Sequence, residues 1–152
     1  MEIFRVSLIG HRIVDHFTPV EEQLEEIIKK YLDEKEYVEF YIGRNGDFDI
    51  LAASVIKRVQ KDYGKANSSL ILIIPYPIAN VEDMEKYYDE VWYPAELQDV
   101  YYKAAITKRN EWFVKNSDEL IAYVIRNEGG AYKCLRKAID ENVSIRLINC
   151  QK

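Results

Sequence analysis

A short apolar strand followed by two glycines and a helix is the feature that most constrains the fold of this chain. Residues 119–125 (ELIAYVI) form an apolar run of strand length, and Gly129-Gly130 precedes a segment with apolar residues at helical spacing. Glycines there permit positive φ angles and close approach of a ligand. The next helix would direct unpaired N–H groups and the positive end of its dipole toward the strand end. The segment is therefore either half of a phosphate-binding site or a plain turn.

Alternating strand-like and helix-like segments predict an α/β fold. The strand-like segments lie at residues 3–9, 37–42, 70–74, 119–125 and 143–148. Amphipathic helical segments separate most of them, which implies right-handed crossovers and a mostly parallel sheet. We predict a single domain over residues 1–152, a Rossmann-like three-layer sandwich with central strands 3–9, 70–74 and 119–125. The run 70–74 (LILII) is the most continuously apolar, as expected at the centre of a parallel sheet.

Local signals predict where two helices begin. Thr18-Pro19 opens the first helix, with Thr18 as the N-cap of a capping box and Pro19 at the first helical position. A later helix is predicted from residue 97 to about residue 115, with Lys108 near the centre of its apolar face and Arg109 at the border. A charge drawn toward the core needs an internal carboxylate or an anionic ligand as its partner, and the sequence leaves both open.

Composition excludes several classes of protein. The chain has 152 residues, enough for one domain, and a hydrophobic share of 48%, which is ordinary for a globular protein. No apolar run is long enough to cross a bilayer and no secretory signal follows Met1, so we expect a cytoplasmic protein that binds no membrane. A net charge of −5 argues against general nucleic-acid binding. Cys134 and Cys150 lack metal-type partners at suitable spacing, so we expect reduced thiols, no metal and no cofactor.

Three glycine-bearing loops follow predicted strands. They are Gly10-His11-Arg12, residues 43–49 and Gly129-Gly130. In a parallel sheet every strand-to-helix loop reaches the same edge, and ligands bind there where the strand order reverses. The coincidence of the three loops predicts a ligand site at that edge. The pattern differs from the dinucleotide fingerprint, because no Gly-x-Gly-x-x-Gly follows the first strand and no Walker lysine motif occurs.

The order of these motifs resembles one protein group along nearly the whole chain. To the loops above, the sequence adds Ala52-Ala53, Arg109-Asn110 and Asn116-Ser117-Asp118. The combination is similar to the YpsA-like (DUF1273) group of the SLOG superfamily, which has a Rossmann-like fold and includes lonely-guy phosphoribohydrolases, molybdenum-cofactor carriers and DprA. The resemblance implies a pocket for a nucleotide or nucleotide-derived ligand at the glycine loops. The residues expected to bind it are Gly10, His11, Arg12, Gly43, Gly46, Asp47, Asp49, Arg109, Asn110, Gly129, Gly130, Ala131 and Tyr132.

One departure from the family bears on catalysis. Lonely-guy hydrolases carry Pro-Gly-Gly-x-Gly-Thr followed by a catalytic glutamate, whereas residues 128–133 read EGGAYK and Arg136 stands where that glutamate would be. Cleavage of an N-glycosidic bond needs a carboxylate to stabilise the cationic sugar or to activate water. Only Asp47, Asp49 or Glu128 could substitute. Each has a structural alternative, as helix cap, first-turn charge and exposed loop residue respectively, so we name no catalytic residue.

Two further features have two interpretations each. His11 could donate to a phosphate or act as an acid near neutral pH, or it could be a hydrogen-bonded structural histidine. Tyrosines concentrate between residues 76 and 102, where they could stack on a base or pack the edge of the sheet.

The leading expectation is a domain that binds or senses a nucleotide or a nucleotide-derived small molecule. The alternative is a nucleotide-processing N-glycosidase with a rearranged carboxylate, and a third class is an interaction module with no ligand. The sequence leaves the identity of the ligand and the oligomeric state open, and a homo-oligomer is compatible with it.

Overall fold

A parallel sheet of six strands forms the centre of the computed structural model, which describes residues 1–64 and 66–149. Its strands are β1 (Ile3–Gly10), β2 (Tyr37–Ile42), β3 (Ser68–Ile73), β4 (Glu90–Trp92), β5 (Glu119–Tyr123) and β6 (Ser144–Leu147). Their spatial order is β4-β3-β2-β1-β5-β6, and every neighbouring pair is parallel. The predicted parallel sheet is therefore confirmed.

Helices cover both faces of the sheet and complete the three layers. They are α1 (Phe17–Glu34), α2 (Asp47–Asp62), α3 (Val81–Tyr87), α4 (Ala105–Asn116) and α5 (Gly130–Asp140). Side chains of α1 and α2 share one buried cluster with the sheet, and side chains of α4 and α5 share another. In β3, Leu72 belongs to the first cluster and Ile73 to the second, because successive strand side chains point to opposite faces. A strand covered on both faces must be apolar throughout.

The position of β3 in the sheet differs from the prediction. It lies second from one edge, between β2 and β4. β5 lies second from the other edge, between β1 and β6, so of the three strands predicted to be central only β1 is, between β2 and β5. The short β4 pairs with β3 over residues 71–73 and covers its outer edge. Burial of both faces, rather than a central position, explains why this strand is so apolar.

The first helix begins before its predicted cap. α1 starts at Phe17, with His16 as the N-cap and no side-chain cap hydrogen bond, so the predicted Thr18 capping box is wrong. Pro19 falls within the first turn, where a missing N–H costs little because the first four N–H groups of a helix have no partner inside it. The helix is stabilised instead by its buried apolar face, which includes Leu24.

The predicted helix over residues 97–115 is wrong in its first half. Two short 3-10 turns (Ala95–Leu97 and Tyr102–Ala104) precede α4. Because α4 begins at Ala105, its buried face continues at four-residue intervals through Arg109 and Phe113. Lys108 points to solvent instead, with 50% of its side chain exposed. The prediction therefore gave Lys108 the buried position that Arg109 holds.

Two findings in the described ranges, residues 1–64 and 66–149, concern membrane-spanning helices and the thiol of Cys134. Neither range contains a helix that combines the length and the apolar composition needed to span a membrane. Cys134 is a buried free thiol, as predicted, and burial raises its pKa to about 12. Cys150 lies outside the described residues.

Candidate functional site

A cavity of about 410 Å³, which we call the first cavity, lies at the carboxyl edge of the sheet. It lies between the ends of β1 and β5, where the strand order reverses, and sheets of this type bind ligands at that position. Its volume falls in the range of about 300 to 1,000 Å³ that is typical of small-molecule sites. Its wall consists of Leu8, Ile9, Gly10, His11, Arg12, Asn45, Asp49, Ile106, Arg109, Asn110, Phe113, Arg126, Glu128, Gly129, Gly130 and Ala131.

The structure brings most of the predicted ligand-binding residues together around this cavity. Those in its wall are Gly10, His11, Arg12, Asp49, Arg109, Asn110, Gly129, Gly130 and Ala131. Those outside its wall are Gly43, Gly46, Asp47 and Tyr132. All three glycine loops contribute to the wall, because the loop over residues 43–49 supplies Asn45 and Asp49. The three loops thus meet at one edge of the sheet.

Arg109 is the most deeply buried charged side chain at this edge, with 4% of its surface exposed. Its Nη2 donates to Asn45 Oδ1 at 2.8 Å and to Asn110 Oδ1 at 3.3 Å, and its Nη1 donates to the Ile73 carbonyl at 3.5 Å. Its Cζ lies 5.0 Å from the centre of the Phe113 ring. Burial lowers the pKa of Arg109, yet a guanidinium stays protonated in proteins. A buried positive charge is therefore held by neutral amides and a carbonyl.

Gly43 leaves the space that the Arg109 guanidinium occupies. A Cβ atom at residue 43 would lie 2.8 Å from Cζ and 3.0 Å from Nη2 of Arg109, too close for either to stay in place. Glycine is needed here for the close approach of a side chain to the backbone. Gly43 therefore contributes to the site by positioning Arg109, although it lies outside the cavity wall.

Asp49 is a buried carboxylate whose negative charge acts on the Arg109 guanidinium. It is 8% exposed, and its Oδ2 accepts a hydrogen bond from the Asn45 N–H at 2.9 Å. Burial raises the pKa of the Asp49 carboxyl, although this hydrogen bond and the charges of Arg109 and Arg12 oppose the shift. The first cavity thus has a buried carboxyl group in its wall.

Asp47 joins two loops instead of facing the cavity. Its N–H donates to the Arg12 carbonyl at 2.7 Å, and its Oδ2 accepts a hydrogen bond from the Val14 N–H at 3.1 Å. Gly46 is the N-cap of α2 and no side chain caps that helix, so the interpretation of Asp47 as the helix cap is wrong. Asp47 instead holds the loop after β1 against the start of α2.

His11 is a hydrogen-bond acceptor that connects the ends of β1 and β5. It is 5% exposed, and its Nε2 accepts hydrogen bonds from the Ile125 N–H at 3.0 Å and the Arg126 N–H at 3.2 Å. Two donors at Nε2 require a neutral ring with its proton on Nδ1. Burial and the charge of Arg126 lower the pKa of His11, while Glu128 opposes them. These contacts favour the structural interpretation of His11 over a role as proton donor.

Gly129 turns the chain from the loop after β5 into α5. Its φ of +92° favours glycine over other residues, and α5 has no side-chain cap on its first N–H groups. Gly130 and Ala131, the first residues of the helix, lie in the wall of the first cavity. Helix starts of this kind attract anions. The cavity thus has anion-binding geometry at one end.

The first cavity is more positive than the protein as a whole. Arg12, Arg109 and Arg126 oppose two carboxylates, Asp49 and Glu128, in its wall. The complete chain has a net charge of −5. A local positive field concentrates anionic ligands, even on an acidic protein.

Among the carboxylates considered for catalysis, only Asp49 and Glu128 reach the first cavity, and Glu128 is exposed. Arg136 is exposed and lies outside the cavity wall. In the described parts of the chain, no three His, Cys, Asp or Glu side chains come together in a way that could hold a metal ion. Asp49 and Glu128 are therefore the carboxylates, among those considered, that line the cavity.

The tyrosines between residues 76 and 102 divide between core and surface. Tyr88 is 2% exposed and packs in the core, as one of the two interpretations predicted. Tyr101 and Tyr102 are 65% and 67% exposed and contact each other edge to face, with ring centres 5.3 Å apart. None of these three side chains belongs to the wall of the first cavity.

Sequence reasoning missed two polar residues of the wall, Asn45 and Arg126. Asn45 lies inside the predicted loop over residues 43–49, and Arg126 directly follows the predicted strand over residues 119–125. Each lies three residues after a strand end, Ile42 and Tyr123 respectively, and a polar side chain so close to a strand end is the signal that could have identified both.

Comparison with solved structures identifies the architecture. The chain resembles DprA from Streptococcus pneumoniae with a TM-score of 0.67 and 15% sequence identity, over 95% of this chain and 50% of that one. It resembles DprA from Helicobacter pylori with a TM-score of 0.64 and 14% identity, over 95% of this chain and 64% of that one. For the Moco carrier protein from Chlamydomonas reinhardtii the TM-score is 0.56 and the identity 14%, over 97% and 76% of the two chains. The fold is Rossmann-like.

The likeness is confined to the fold, because the identities are 15% and 14%. The chain spans about half the length of the S. pneumoniae DprA that it matches. No protein-family model matches the chain, and a search of characterised proteins finds no match. The three neighbours share with this chain the Rossmann-like fold that the sequence resemblance implies.

Proposed function

We propose that this protein is a ligand-binding or sensing domain for a nucleotide or nucleotide-derived molecule, with the ligand phosphate in the first cavity. The observation that carries the proposal is Arg109. It is a buried guanidinium in the wall of a cavity, and its hydrogen-bond partners among the described residues are neutral. A charge buried for structural reasons alone is normally paired with an opposite charge. An anionic ligand would complete the pairing. Four of the five guanidinium N–H groups donate to Asn45, Asn110 and Ile73, which leaves one at Nη1 for the ligand in the described structure.

The start of α5 supports the same location for the phosphate. Its first N–H groups have no side-chain cap, and Gly130 and Ala131 line the first cavity. Backbone N–H groups, the helix dipole and a nearby guanidinium are the usual components of a phosphate site. The ligand-binding residues predicted from the sequence are proposed here in that role, with Gly43 and Asp47 acting through their neighbours.

The binding experiment uses the purified protein and a panel of ligands, followed by thermal shift and calorimetry. The panel holds the ribonucleoside monophosphates, NAD-related compounds and, because the H. pylori neighbour binds single-stranded DNA, a short DNA oligonucleotide. We expect binding of at least one small nucleotide in preference to the oligonucleotide. Binding of the oligonucleotide alone, or of nothing in the panel, would contradict the proposal.

A Gly130→Val variant tests the position of the phosphate. Its Cβ would have Asn110 Nδ2 as its nearest neighbour, at 3.9 Å, so the substitution should leave the fold intact and obstruct only the ligand. We expect an unchanged urea midpoint and lost nucleotide binding. Nucleotide binding equal to that of the parent protein would remove the α5 loop from the site.

A second candidate function is hydrolysis of the N-glycosidic bond of the same ligand. The observation that favours it is Asp49, a buried cavity-wall carboxyl whose pKa is raised by burial, as in many general acids. Mass spectrometry of the incubated panel would detect release of the free base. An Asp49→Asn variant should abolish that release. Recovery of intact nucleotides from the parent protein would reject this candidate and leave the binding proposal standing.

We further propose that the chain is a single SLOG-like domain of the YpsA-like (DUF1273) group and acts in the cytoplasm. The order of its glycine loops and of the Arg109-Asn110 pair supports the assignment to the group. Its net charge of −5 supports a small-molecule partner over general nucleic-acid binding. Cell fractionation tests the location, and recovery with the membrane fraction would contradict it.

A further inference from the structure

A second, smaller cavity of about 120 Å³ lies beside the first one, above the end of β3. Its apolar wall includes Ile73, Ile74, Ile78 and Met84. Its volume is below the range of about 300 to 1,000 Å³ of whole small-molecule sites, so it could hold only part of a ligand. We call it the second cavity.

The two cavities share a wall. Asn45 and Arg109 line both of them, and the hydrogen bond from Arg109 Nη2 to Asn45 Oδ1 measures 2.8 Å. The guanidinium thus lies between the two spaces. A ligand that contacts Arg109 in the first cavity is therefore beside the entrance to the second.

The walls of the second cavity differ in chemistry from those of the first. Besides its aliphatic side chains, the second cavity has the ring of Tyr76, which is 38% exposed, and the amide of Asn80. The Asn80 side chain makes no hydrogen bond to the start of α3, and Tyr76 interacts electrostatically with Arg109. A tyrosine ring can stack on a base, and an asparagine amide matches the donor and acceptor edge of adenine.

We propose that the second cavity binds the planar heteroaromatic base of the nucleotide whose phosphate lies in the first cavity. This inference rests on the proposed function. It adds that contacts in the second cavity make the protein bind a nucleotide more tightly than a sugar phosphate without a base. Tyr76 stacks on the base, and Asn80 reads its polar edge. Arg109, which lines both cavities, lies between the phosphate that it binds and the base.

The test compares two probes that differ only by the base, AMP and ribose 5-phosphate. Calorimetric titration of the parent protein should show tighter binding of AMP. The Tyr76→Ala variant should lose about ten- to a hundredfold in affinity for AMP, the effect of one lost stacking contact, and retain its affinity for ribose 5-phosphate. Asn80→Ala should weaken AMP by a smaller factor, again without an effect on ribose 5-phosphate.

Tyr87→Ala is the matched control. Tyr87 is 39% exposed, close to the 38% of Tyr76, but it lines neither cavity. The Tyr87→Ala variant should bind AMP and ribose 5-phosphate with the affinities of the parent protein.

Three outcomes would overturn the inference while the proposed function stands. They are equal affinity of the parent protein for the two probes, an equal loss of both probes in Tyr76→Ala, and unchanged AMP binding in both cavity variants. If the parent protein binds neither probe but binds another nucleotide of the panel, that nucleotide replaces AMP in the comparison. Binding of no nucleotide in the panel would refute the proposed function, and this inference with it.

Discussion

Arg109 and Glu119 are buried charges at opposite edges of the same sheet, and the structure satisfies them in different ways. Glu119 stands at the amino edge, where β5 begins, and is 9% exposed. Its carboxylate accepts hydrogen bonds from the Tyr31 hydroxyl, from Ser144 Oγ at 2.8 Å and from Arg146 Nε at 3.2 Å. Burial acts to raise the pKa of Glu119, but these bonds outweigh it and the pKa is lowered. This charge is fully matched within the protein.

Arg109 makes no direct ion pair in the described part of the chain, although the charge of the nearby Asp49 carboxylate opposes the lowering of its pKa. Its partners are the amides of Asn45 and Asn110 and the Ile73 carbonyl, and it borders two cavities. A buried charge matched by an opposite charge and several hydrogen bonds serves the fold, whereas one held by neutral groups beside a cavity is suited to a ligand. Since both residues are almost equally buried, burial alone does not separate structural charges from functional ones.

The largest expected effect on stability is at the amino edge. Glu119→Ala should lower the free energy of unfolding by about 3 kcal/mol, because it removes three hydrogen bonds of about 1 kcal/mol each and leaves the buried Tyr31 hydroxyl without its acceptor. Urea midpoints measure the loss. Affinity for AMP should be unchanged in the folded protein. A loss of affinity without a loss of stability would break the comparison.

A smaller loss of stability, together with a loss of binding, is expected at Gly43. Gly43→Ala places a Cβ 2.8 Å from Cζ of Arg109 and forces the guanidinium out of position. Overpacking of this kind costs about 1 to 3 kcal/mol. Urea denaturation and AMP titration should both report the change. Gly130→Ala is the control for stability, because a Cβ at residue 130 has only Asn110 Nδ2 near it, at 3.9 Å. A Gly43→Ala protein as stable as Gly130→Ala would contradict the account.

The smallest effect is the pH dependence that His11 contributes. His11 lies at the carboxyl edge, yet it resembles Glu119 in having its hydrogen bonds satisfied within the protein. Its pKa in the folded state is lowered from 6.5, so the unfolded chain binds the proton more readily. The stability that neutral His11 contributes is complete above pH 6.5. It is lost as the pH falls from 6.5 through the lower pKa that His11 has in the folded protein. The loss should be the smallest of the three, because it comes from a single group whose pKa burial and Arg126 lower and Glu128 raises.

Urea midpoints are measured at pH 7.5 and pH 5.5 for the parent and for His11→Gln. The difference between the two proteins separates the pH dependence due to His11 from that due to the other titrating groups. Glutamine can accept the same N–H groups but does not titrate, so the variant should lose less stability on acidification than the parent. The control is His16→Gln, at an exposed position, which should behave like the parent. A His11→Gln protein with the parent's pH dependence would assign the histidine another role.

The architecture and the meeting of the three loops could be predicted from the sequence because they follow from local periodicity and from chain order. The two-residue period of strands and the amphipathic helices are visible in a single sequence. Three glycine loops after parallel strands must share an edge, whatever the details of packing. That is why Gly10, Asp49 and Gly129 are found around one cavity.

The depth of Arg109 and the role of Gly43 could not be predicted, because both depend on contacts between distant parts of the chain. The start of α4 at Ala105 decides which side chains face the sheet, and the two 3-10 turns before it carry no clear sequence signal. The need for glycine at residue 43 arises from a guanidinium on another element. Neither contact leaves a periodic pattern in the sequence.

The most direct test of the central claim replaces Arg109 with methionine and Glu119 with alanine and measures two quantities for each variant. These are the urea midpoint without ligand and the dissociation constant for AMP. We predict that Arg109→Met, which keeps the packing against Phe113, retains its urea midpoint and weakens AMP by about 1.5 to 3 kcal/mol, with partial recovery in Arg109→Lys. Glu119→Ala should show the reverse pattern. An Arg109→Met protein that loses stability and binds AMP like the parent would contradict the account and make Arg109 a structural charge like Glu119.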